Sequence, residues 1–260
     1  MRGKPFRIMI VAALLGGCDV DRIVQRQTPS PDDRSVPAPQ REAYREDAAR
    51  LALRHVLRLG SGAADQVEIP DELSNDLYQR LVLVYNARDL AARDSVVDLY
   101  AVHTFPYPTT RSLLVFVAKG AGWPDAWRRG EPRTGNDAVD GLMVRYGLDL
   151  ERCTVLIVLR GDMCVLAASR PLNVGALALL FARVEGVESS AANGPGGDGD
   201  DLDAARESDA WRLEYTVKWG DCLGGCITSH RWTFRVRDDG VVEYVGGAGP
   251  PPPPPGNRGP

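Results

Sequence analysis

WRLEYTVKWGDCLGGCITSHRWTFRVR, residues 211–237, decides the fold class of this chain because it alternates twice. Every second residue of 211–219 is large and apolar, and 230–237 repeats the pattern with His230 at its start. Such alternation is typical of antiparallel strands that have one buried and one wet face. Asp239-Gly240 then predicts a turn into a third strand. We therefore predict a C-terminal antiparallel meander over 210–248.

The loop between the first two strands contains Cys222 and Cys226, separated by Leu-Gly-Gly. So short and flexible a loop lets the two Cα atoms approach to the distance that a disulfide requires. Two alternatives use the same residues: a redox-active pair, and a zinc site made of Cys222, Cys226 and His230 with Asp221 or His103 as fourth ligand. The arrangement is not the C-x-x-C of thioredoxin-like motifs. We predict a structural disulfide and no metal ion or cofactor.

Upstream of the meander, the patterns predict an α+β domain over 41–192, mainly an antiparallel sheet with packed helices. The predicted helices cover 41–60, 71–86, 123–129, 136–147 and 173–184, and the predicted strands cover 96–105, 112–118, 154–160, 164–170 and 187–192. The strands over 96–105 and 112–118 are expected to form a hairpin.

A second predicted hairpin turns at Gly161-Asp162. In that register Cys164 lies opposite Leu159, which leaves Cys153 about 20 Å away along the strands. We therefore expect Cys153 and Cys164 to remain unpaired.

Three segments are polar or Pro-rich and are predicted to lack regular structure. They are a tether over 18–40, an acidic Gly-rich loop over 193–209 and a Pro-rich tail over 249–260. Asp198, Asp200, Asp201 and Asp203 have the oxygen ligands that calcium prefers, but their spacing is not that of an EF-hand loop. We interpret the loop as a solvated linker and the tail as a short polyproline II segment.

Residues 171–193 resemble the second half of subtilase propeptides, with Val184-Glu185-Gly186-Val187 in the turn before the last strand. The resemblance covers about thirty residues and implies a ferredoxin-like βαβ unit in this part of the chain. It implies nothing about function beyond a protease-inhibitor or propeptide-like module as a third possibility.

Residues 1–17 are arranged like a secretory signal, with basic residues before a short apolar run. Leu15-Gly16-Gly17-Cys18 resembles the lipobox of bacterial lipoproteins, which implies cleavage after Gly17 and acylation of Cys18. We expect the lipid on Cys18 to hold the protein on a membrane of the cell envelope. An exported chain meets oxidising conditions, which favours the disulfide among the alternatives for Cys222 and Cys226.

The stretch 219–249, with its WGDCxxGC and HxW pattern, resembles the tail of an exported bacterial family to which no chemistry is assigned. With the segments 94–115 and 134–148, the resemblance covers most of 70–249 and implies an envelope location. Nucleic-acid-binding proteins usually carry an excess of basic residues. The formal net charge of this chain is −4, so we expect no nucleic-acid partner.

The sequence contains three histidines, His55, His103 and His230, and none of the common catalytic motifs. His103 and Asp98 are the nearest approach to a catalytic pair, but the predicted strand places them on opposite faces. We therefore predict a non-catalytic binding or assembly module whose partner is another envelope protein or peptide. The alternative is an envelope hydrolase or metal-dependent enzyme, for which His103, His230 and Asp221 are the polar candidates.

Overall fold

The computed structural model describes residues 25–60, 62–156 and 161–256, and it contains two antiparallel sheets with helices packed on them. The predicted α+β fold class is confirmed. The strands are β1 Gln25–Gln27, β2 Ser112–Ala118, β3 Leu148–Leu156, β4 Gly161–Ala168, β5 Val187–Ala192, β6 Asp201–Arg206, β7 Ala210–Trp219, β8 Thr228–Arg237 and β9 Val242–Ala248. The helices are α1 Ala38–Leu59, α2 Asp71–Asn86, α3 Ala91–Arg93, α4 Pro124–Arg128, α5 Asp137–Tyr146 and α6 Val174–Phe181, with a 3-10 turn at Asp33–Ser35 and a π-helical turn at Asp94–Leu99.

The outer unit consists of the five-stranded sheet β1-β9-β8-β7-β6 and of α1 and α2, which share its core. Along α2, Leu77, Leu81 and Val84 recur at helical spacing, and all three are fully buried. From β7 and β8, the alternate residues Tyr215 and Phe234 enter the same core. The predicted helices at 41–60 and 71–86 are therefore confirmed, and they bury their apolar faces against the meander.

The predicted C-terminal meander is also confirmed. β7 pairs with β8 along its whole length, with Tyr215 opposite Trp232 and Val217 opposite His230. β8 in turn pairs with β9, with one register shift between Thr233 and Phe234. The buried residues of β7 and β8 alternate with accessible ones, as the sequence pattern required.

The predicted tether over 18–40 is wrong for the part that the structure describes. β1 adds to the edge of β9, with Gln25 opposite Tyr244, and Val36 is buried in the outer core. The reason is that β9 would otherwise expose its backbone hydrogen-bonding groups at an open edge. Arg26 also pairs with the buried carboxylate of Glu243 at 3.0 Å.

The predicted loop over 193–209 is wrong in its second half, where β6 pairs with β7. Leu202 and Ala204 enter the outer core, while Asp201 and Asp203 point to α1. There Arg54 binds Asp201 at 3.0 Å and Arg58 binds Asp203 at 2.8 Å. The two ion pairs offset the acidic charge that made this segment resemble a solvated linker.

The predicted strand over 96–105 and its hairpin with 112–118 are wrong. Residues 94–99 form the π-helical turn, and the chain then reaches β2 without regular secondary structure. The reason is Arg93, which is 1% exposed: it donates to the carbonyl of Tyr85 at 2.8 Å and pairs with Asp94 and Asp98. These bonds hold both carboxylates beside one guanidinium, which an extended strand would not do.

The inserted unit, residues 112–192, has a four-stranded sheet of order β3-β4-β2-β5 in which every neighbouring pair is antiparallel. α4 and α5 connect β2 to β3, and α6 connects β4 to β5. This βαββαβ order is the ferredoxin-like topology that the sequence indicated for 171–193, and it extends over the whole unit. Trp127, Leu166 and Phe181 lie in its core.

The register predicted for the second hairpin is wrong, and so is the expectation that its cysteines stay apart. β3 begins at Leu148, so that Cys153 lies directly opposite Cys164 and the two form a disulfide. Gly161 and Asp162 lie in β4 rather than in a turn, and the connection falls at 157–160, outside the described residues. Asp162 is held in the strand by Arg128 of α4 at 3.0 Å.

The two units touch through the segment between α1 and α2, which joins the core of the inserted unit at Val67. The amide of Asn173 donates to the carbonyls of Ala64 and Gln66 at 2.7 and 3.0 Å. The boundary therefore differs from the predicted domain over 41–192. Its first two helices share a core with β6–β9, whereas the inserted unit has a core of its own.

Candidate binding site

Three aromatic side chains lie together near one end of the outer sheet, and we call Tyr100, His230 and Trp232 the aromatic surface. The rings of Tyr100 and Trp232 are 5.6 Å apart, and those of His230 and Trp232 are 4.3 Å apart. His230 and Trp232 are two residues apart on β8, so they share one face. Tyr100 follows the π-helical turn, where its N–H donates to the carbonyl of Ser95 at 2.9 Å.

The Pro-rich tail lies against this aromatic surface. His230 Nδ1 is 3.1 and 3.0 Å from the carbonyl oxygens of Gly249 and Pro250, and Tyr100 Oη is 3.4 and 3.3 Å from those of Pro252 and Pro253. Because carbonyl oxygens only accept, Nδ1 carries the proton and donates. Residues 249–256 contain no helix or strand, as predicted, but this part of the tail is bound to the protein rather than solvated.

Gly249 lets the chain turn from β9 onto His230. Its φ is +96°, in the left-handed region that favours glycine. A Cβ atom at this position would lie 2.2 Å from the carbonyl oxygen of Ser229, far inside a van der Waals contact. Only glycine permits this close approach of the tail to β8.

This arrangement has the chemistry of proline recognition. Prolines have no N–H, so a polyproline segment exposes carbonyl oxygens that have no partner of their own. Aromatic side chains that donate to those carbonyls and pack on the rings are the usual surface for such segments. The aromatic surface can therefore bind a proline-rich segment, and the chain's own tail occupies it.

A second cluster surrounds His103, and it does not include Asp98, which binds Arg93 instead. The partner of His103 is Asp47 of α1, whose Oδ2 lies 2.6 Å from Nδ1 while Oδ1 accepts from the N–H and hydroxyl of Thr104 at 2.9 and 2.7 Å. The hydrogen bond to Asp47 raises the pKa of His103 above its usual value, against the effect of burial. An aspartate that orients an imidazole is one part of a general base. In the described part of the chain this is the only hydrogen bond that the structure gives to His103.

Sequence reasoning missed Asp47, although α1 contains a signal for it. Asp47 lies on the buried stripe of the helix together with Tyr44 and Leu51. A carboxylate on an apolar helix face needs a partner, because burial without one is costly. No comparable signal marked Tyr100, whose contacts with the tail join residues 152 and 153 positions apart.

The predicted disulfide is present: Cys222 and Cys226 are bonded to each other, with Cα atoms 4.0 Å apart. The zinc alternative finds no support in the geometry, since both sulfurs are used and His230 binds the tail. Across the described ranges, no three His, Cys, Asp or Glu side chains converge as metal ligands. Asp221, the remaining polar candidate, is exposed beside the disulfide.

The aspartates considered as calcium ligands each bind groups of the protein. Asp198 pairs with the ammonium of Lys218 at 2.6 Å, and Asp200 accepts from the N–H of Lys218 at 2.8 Å. Asp201 and Asp203 bind the arginines of α1. The four carboxylates therefore act as structural partners of two different elements.

Cys18 and the signal segment lie outside the described residues. The helices that the structure describes include none with both the length and the apolar character needed to cross a membrane. Comparisons of the chain with protein-family models, with curated proteins and with solved structures found no match.

Proposed function

We propose that this protein is a non-catalytic binding module of the bacterial cell envelope, anchored through a lipid on Cys18. Its aromatic surface binds a proline-rich segment of another envelope protein or peptide. The observation that carries the binding part is the docked tail: Tyr100 and His230 hydrogen-bond to four backbone carbonyls of the Gly249–Pro253 segment.

The tail acts as a competitor of the partner. A tethered segment faces its site at an effective concentration of about millimolar, so a free ligand must exceed that value or bind more strongly. In the described part of the tail, the hydrogen bonds to the aromatic surface extend from Gly249 to Pro253, and a longer proline segment gains further contacts. We therefore expect the full-length chain to bind weakly and the chain without its tail to bind well.

The test is a titration of a synthetic hexaproline peptide into the chain truncated after Ala248, followed by calorimetry and by tryptophan fluorescence. Truncation leaves β9 intact, so the outer sheet is retained. We expect saturable binding to the truncated chain and binding at least about tenfold weaker to the full-length chain. Absence of binding to the truncated chain would refute the proposal.

A matched pair of variants tests the contact itself. Tyr100→Phe removes the hydroxyl that reaches Pro252 and Pro253, and loss of such a bond is expected to weaken binding about three- to tenfold. Tyr107→Phe changes an exposed tyrosine of the same segment and is expected to leave the affinity unchanged. Equal losses in both variants would mean that binding occurs elsewhere.

The anchor has its own support and its own test. The lipobox-like residues 15–18 motivate it, and two disulfides are typical of proteins from oxidising compartments. The mass of the N-terminal peptide is expected to include acyl chains on Cys18. The exported protein is expected in the membrane fraction, and an unmodified Cys18 in the exported protein would contradict the anchor.

An envelope hydrolase is the second candidate, and the Asp47–His103 pair favours it. In this reading His103 acts as a general base and Asp47 holds its Nδ1–H. A screen with ester, amide and glycoside substrates tests the reading. Turnover that is lost in His103→Ala and retained in His55→Ala would favour the hydrolase over the binding module.

A further inference from the structure

We infer that the loop between β7 and β8, with Leu223 and Ile227 at its tip, is a membrane-facing tip that enters the lipid interface beside the lipid on Cys18. The inference rests on the anchor in the proposed function and goes beyond it, because it assigns a second contact with the membrane and fixes the orientation of the outer sheet.

The first observation is the exposure of the tip. Leu223 and Ile227 are 88% and 78% exposed, which makes them the most exposed large apolar side chains of the described residues. They flank the disulfide between Cys222 and Cys226, so a covalent bond holds them in one short loop. Single exposed apolar residues are normal on protein surfaces, whereas here two lie on one constrained loop at the end of β7 and β8.

The second observation is that a hydrogen bond and an ion pair made by Asp198 hold the base of the loop in place. The N–H of Asp198 donates to the carbonyl of Cys222 at 2.9 Å, and the carboxylate of Asp198 binds the ammonium of Lys218 at 2.6 Å. Burial alone would raise the pKa of Asp198, but the hydrogen bond from Lys218 lowers this pKa below its usual value. The loop is therefore fixed to β7 and does not collapse onto the core.

The third observation is the end of the sheet at which β1 begins. Gln25 lies opposite Tyr244 and Gln27 opposite Val242, so the first residue of β1 is the one nearest the C-terminal end of β9. That end of β9 lies beside the beginning of β8, because Ala248 pairs with Arg231. β1 therefore begins on the side of the outer sheet that carries the tip.

The lengths agree as well. Gln25 is level with Phe234, because both residues pair with Tyr244. From Phe234 to the first residue of β8, Thr228, the strand spans roughly 20 Å. The seven residues from Cys18 to Gln25 reach at most about 24 Å. Cys18 can therefore lie level with the base of the tip, where acyl chains and apolar side chains meet one lipid surface.

The charge near the tip selects the kind of lipid. Asp221 is exposed next to Cys222, and Lys218, at the end of β7, is paired with Asp198. An acidic edge is repelled by anionic headgroups, and this repulsion decays over about 10 Å at moderate salt. The surface that fits the tip is therefore a zwitterionic lipid interface.

The test uses residues 18–260 with Cys18→Ser, so that neither the apolar run of residues 1–17 nor an acyl group contributes, in flotation with vesicles of phosphatidylcholine. We expect measurable binding that falls at least about tenfold in the double variant Leu223→Ser/Ile227→Ser, because two apolar side chains lose their burial. Val144→Ser, which changes a 73% exposed residue of α5 in the inserted unit, is the matched control and is expected to bind like the parent.

Equal binding of the double variant and the parent, or no binding of the parent at all, would overturn the inference. Unchanged thermal unfolding of the variants would show that the fold is intact. The mass of the Cys18 peptide from the exported protein reports on the anchor separately. A missing acyl group and an inactive tip are therefore distinguishable failures.

Discussion

The outer and inserted units differ in how the chain closes them. The inserted unit is contiguous, and its ends meet: Leu113 pairs with Ala192, and the N–H of Asn193 donates to the carbonyl of Ser112 at 2.8 Å. The outer unit takes its helices from before this insertion and four of its strands from after it. The inserted unit can fold from local chain, whereas the outer unit depends on the insertion to return the chain to its starting point.

The magnitude of this dependence follows from the conformational entropy that closing the loop costs. Closing a flexible loop as long as the 112–192 insertion costs roughly 4 kcal/mol of conformational entropy. A folded insertion removes that cost, because its two ends are already hydrogen-bonded to each other. Unfolding of the inserted unit is therefore expected to destabilise the outer unit, whereas unfolding of the outer unit is expected to leave the inserted unit folded. We call this one-sided coupling.

The largest effects test this one-sidedness in the two cores. Phe181→Ala and Phe234→Ala each remove a fully buried ring, and each is expected to lower the free energy of unfolding by about 3–5 kcal/mol. Hydrogen exchange then separates the units. Phe234→Ala is expected to speed exchange in the outer unit alone, whereas Phe181→Ala speeds it in both. If hydrogen exchange in Phe181→Ala becomes faster in the inserted unit alone, the one-sided coupling of the two units is contradicted.

The two disulfides give the next effect, and they differ in the loop that each one closes. Cys153 and Cys164 are 11 residues apart, and Cys222 and Cys226 are 4 apart. On the chain-entropy model their removal as paired alanine variants costs about 3 and about 2 kcal/mol. Urea denaturation of both variants measures the difference. If removal of the Cys222–Cys226 disulfide lowers the free energy of unfolding more, local packing rather than loop length determines the contribution of each disulfide.

A smaller effect is expected from the ion pairs that fasten β6 to α1. Arg54 is mostly buried and also donates to the carbonyls of Phe105 and Tyr107, so Arg54→Met should lower the free energy of unfolding by about 1.5–3 kcal/mol. Arg58 is far more exposed and provides the control, since Arg58→Met is expected to cost about 1 kcal/mol or less. Equal losses in thermal denaturation would contradict this ranking.

Sequence patterns predicted the elements whose own residues show one clearly apolar face. α2, β2 and β5 fall at the predicted residues, and Asn136 and Gly147 cap α5 as expected. Periodicity sufficed there because one buried face determines the element.

Three of the errors occurred where a group distant in the chain changed the local preference. β6 contains two aspartates that only the arginines of α1 make compatible with a strand. β1 looked like a tether because its partner β9 lies more than 200 residues later. The tail on Tyr100 is a contact of the same kind, so the candidate site was the least predictable part of the molecule. Ordered residues in a polar, Pro-rich segment indicate a partner that the segment itself does not reveal.

The smallest effects come from two histidines of the outer unit whose pKa values shift in opposite directions. The hydrogen bond to Asp47 raises the pKa of His103, so its contribution to stability is complete below about pH 6.5 and is lost as the pH rises through the higher folded pKa. Burial beside Arg58 and Arg206 lowers the pKa of His55. Its contribution is complete above about pH 6.5 and is lost as the pH falls through the lower folded pKa.

Stability measurements at pH 5.5 and pH 8.5 on His103→Gln and His55→Gln therefore provide internal controls for each other. His103→Gln is expected to lose more stability at the lower pH, and His55→Gln more at the higher pH, each relative to the parent at the same pH. Other titrating groups are common to all three proteins and cancel. If His103→Gln, like His55→Gln, loses more stability at pH 8.5 than at pH 5.5, Asp47 does not hold a charged imidazole. That result would also remove the basis for a general base at His103.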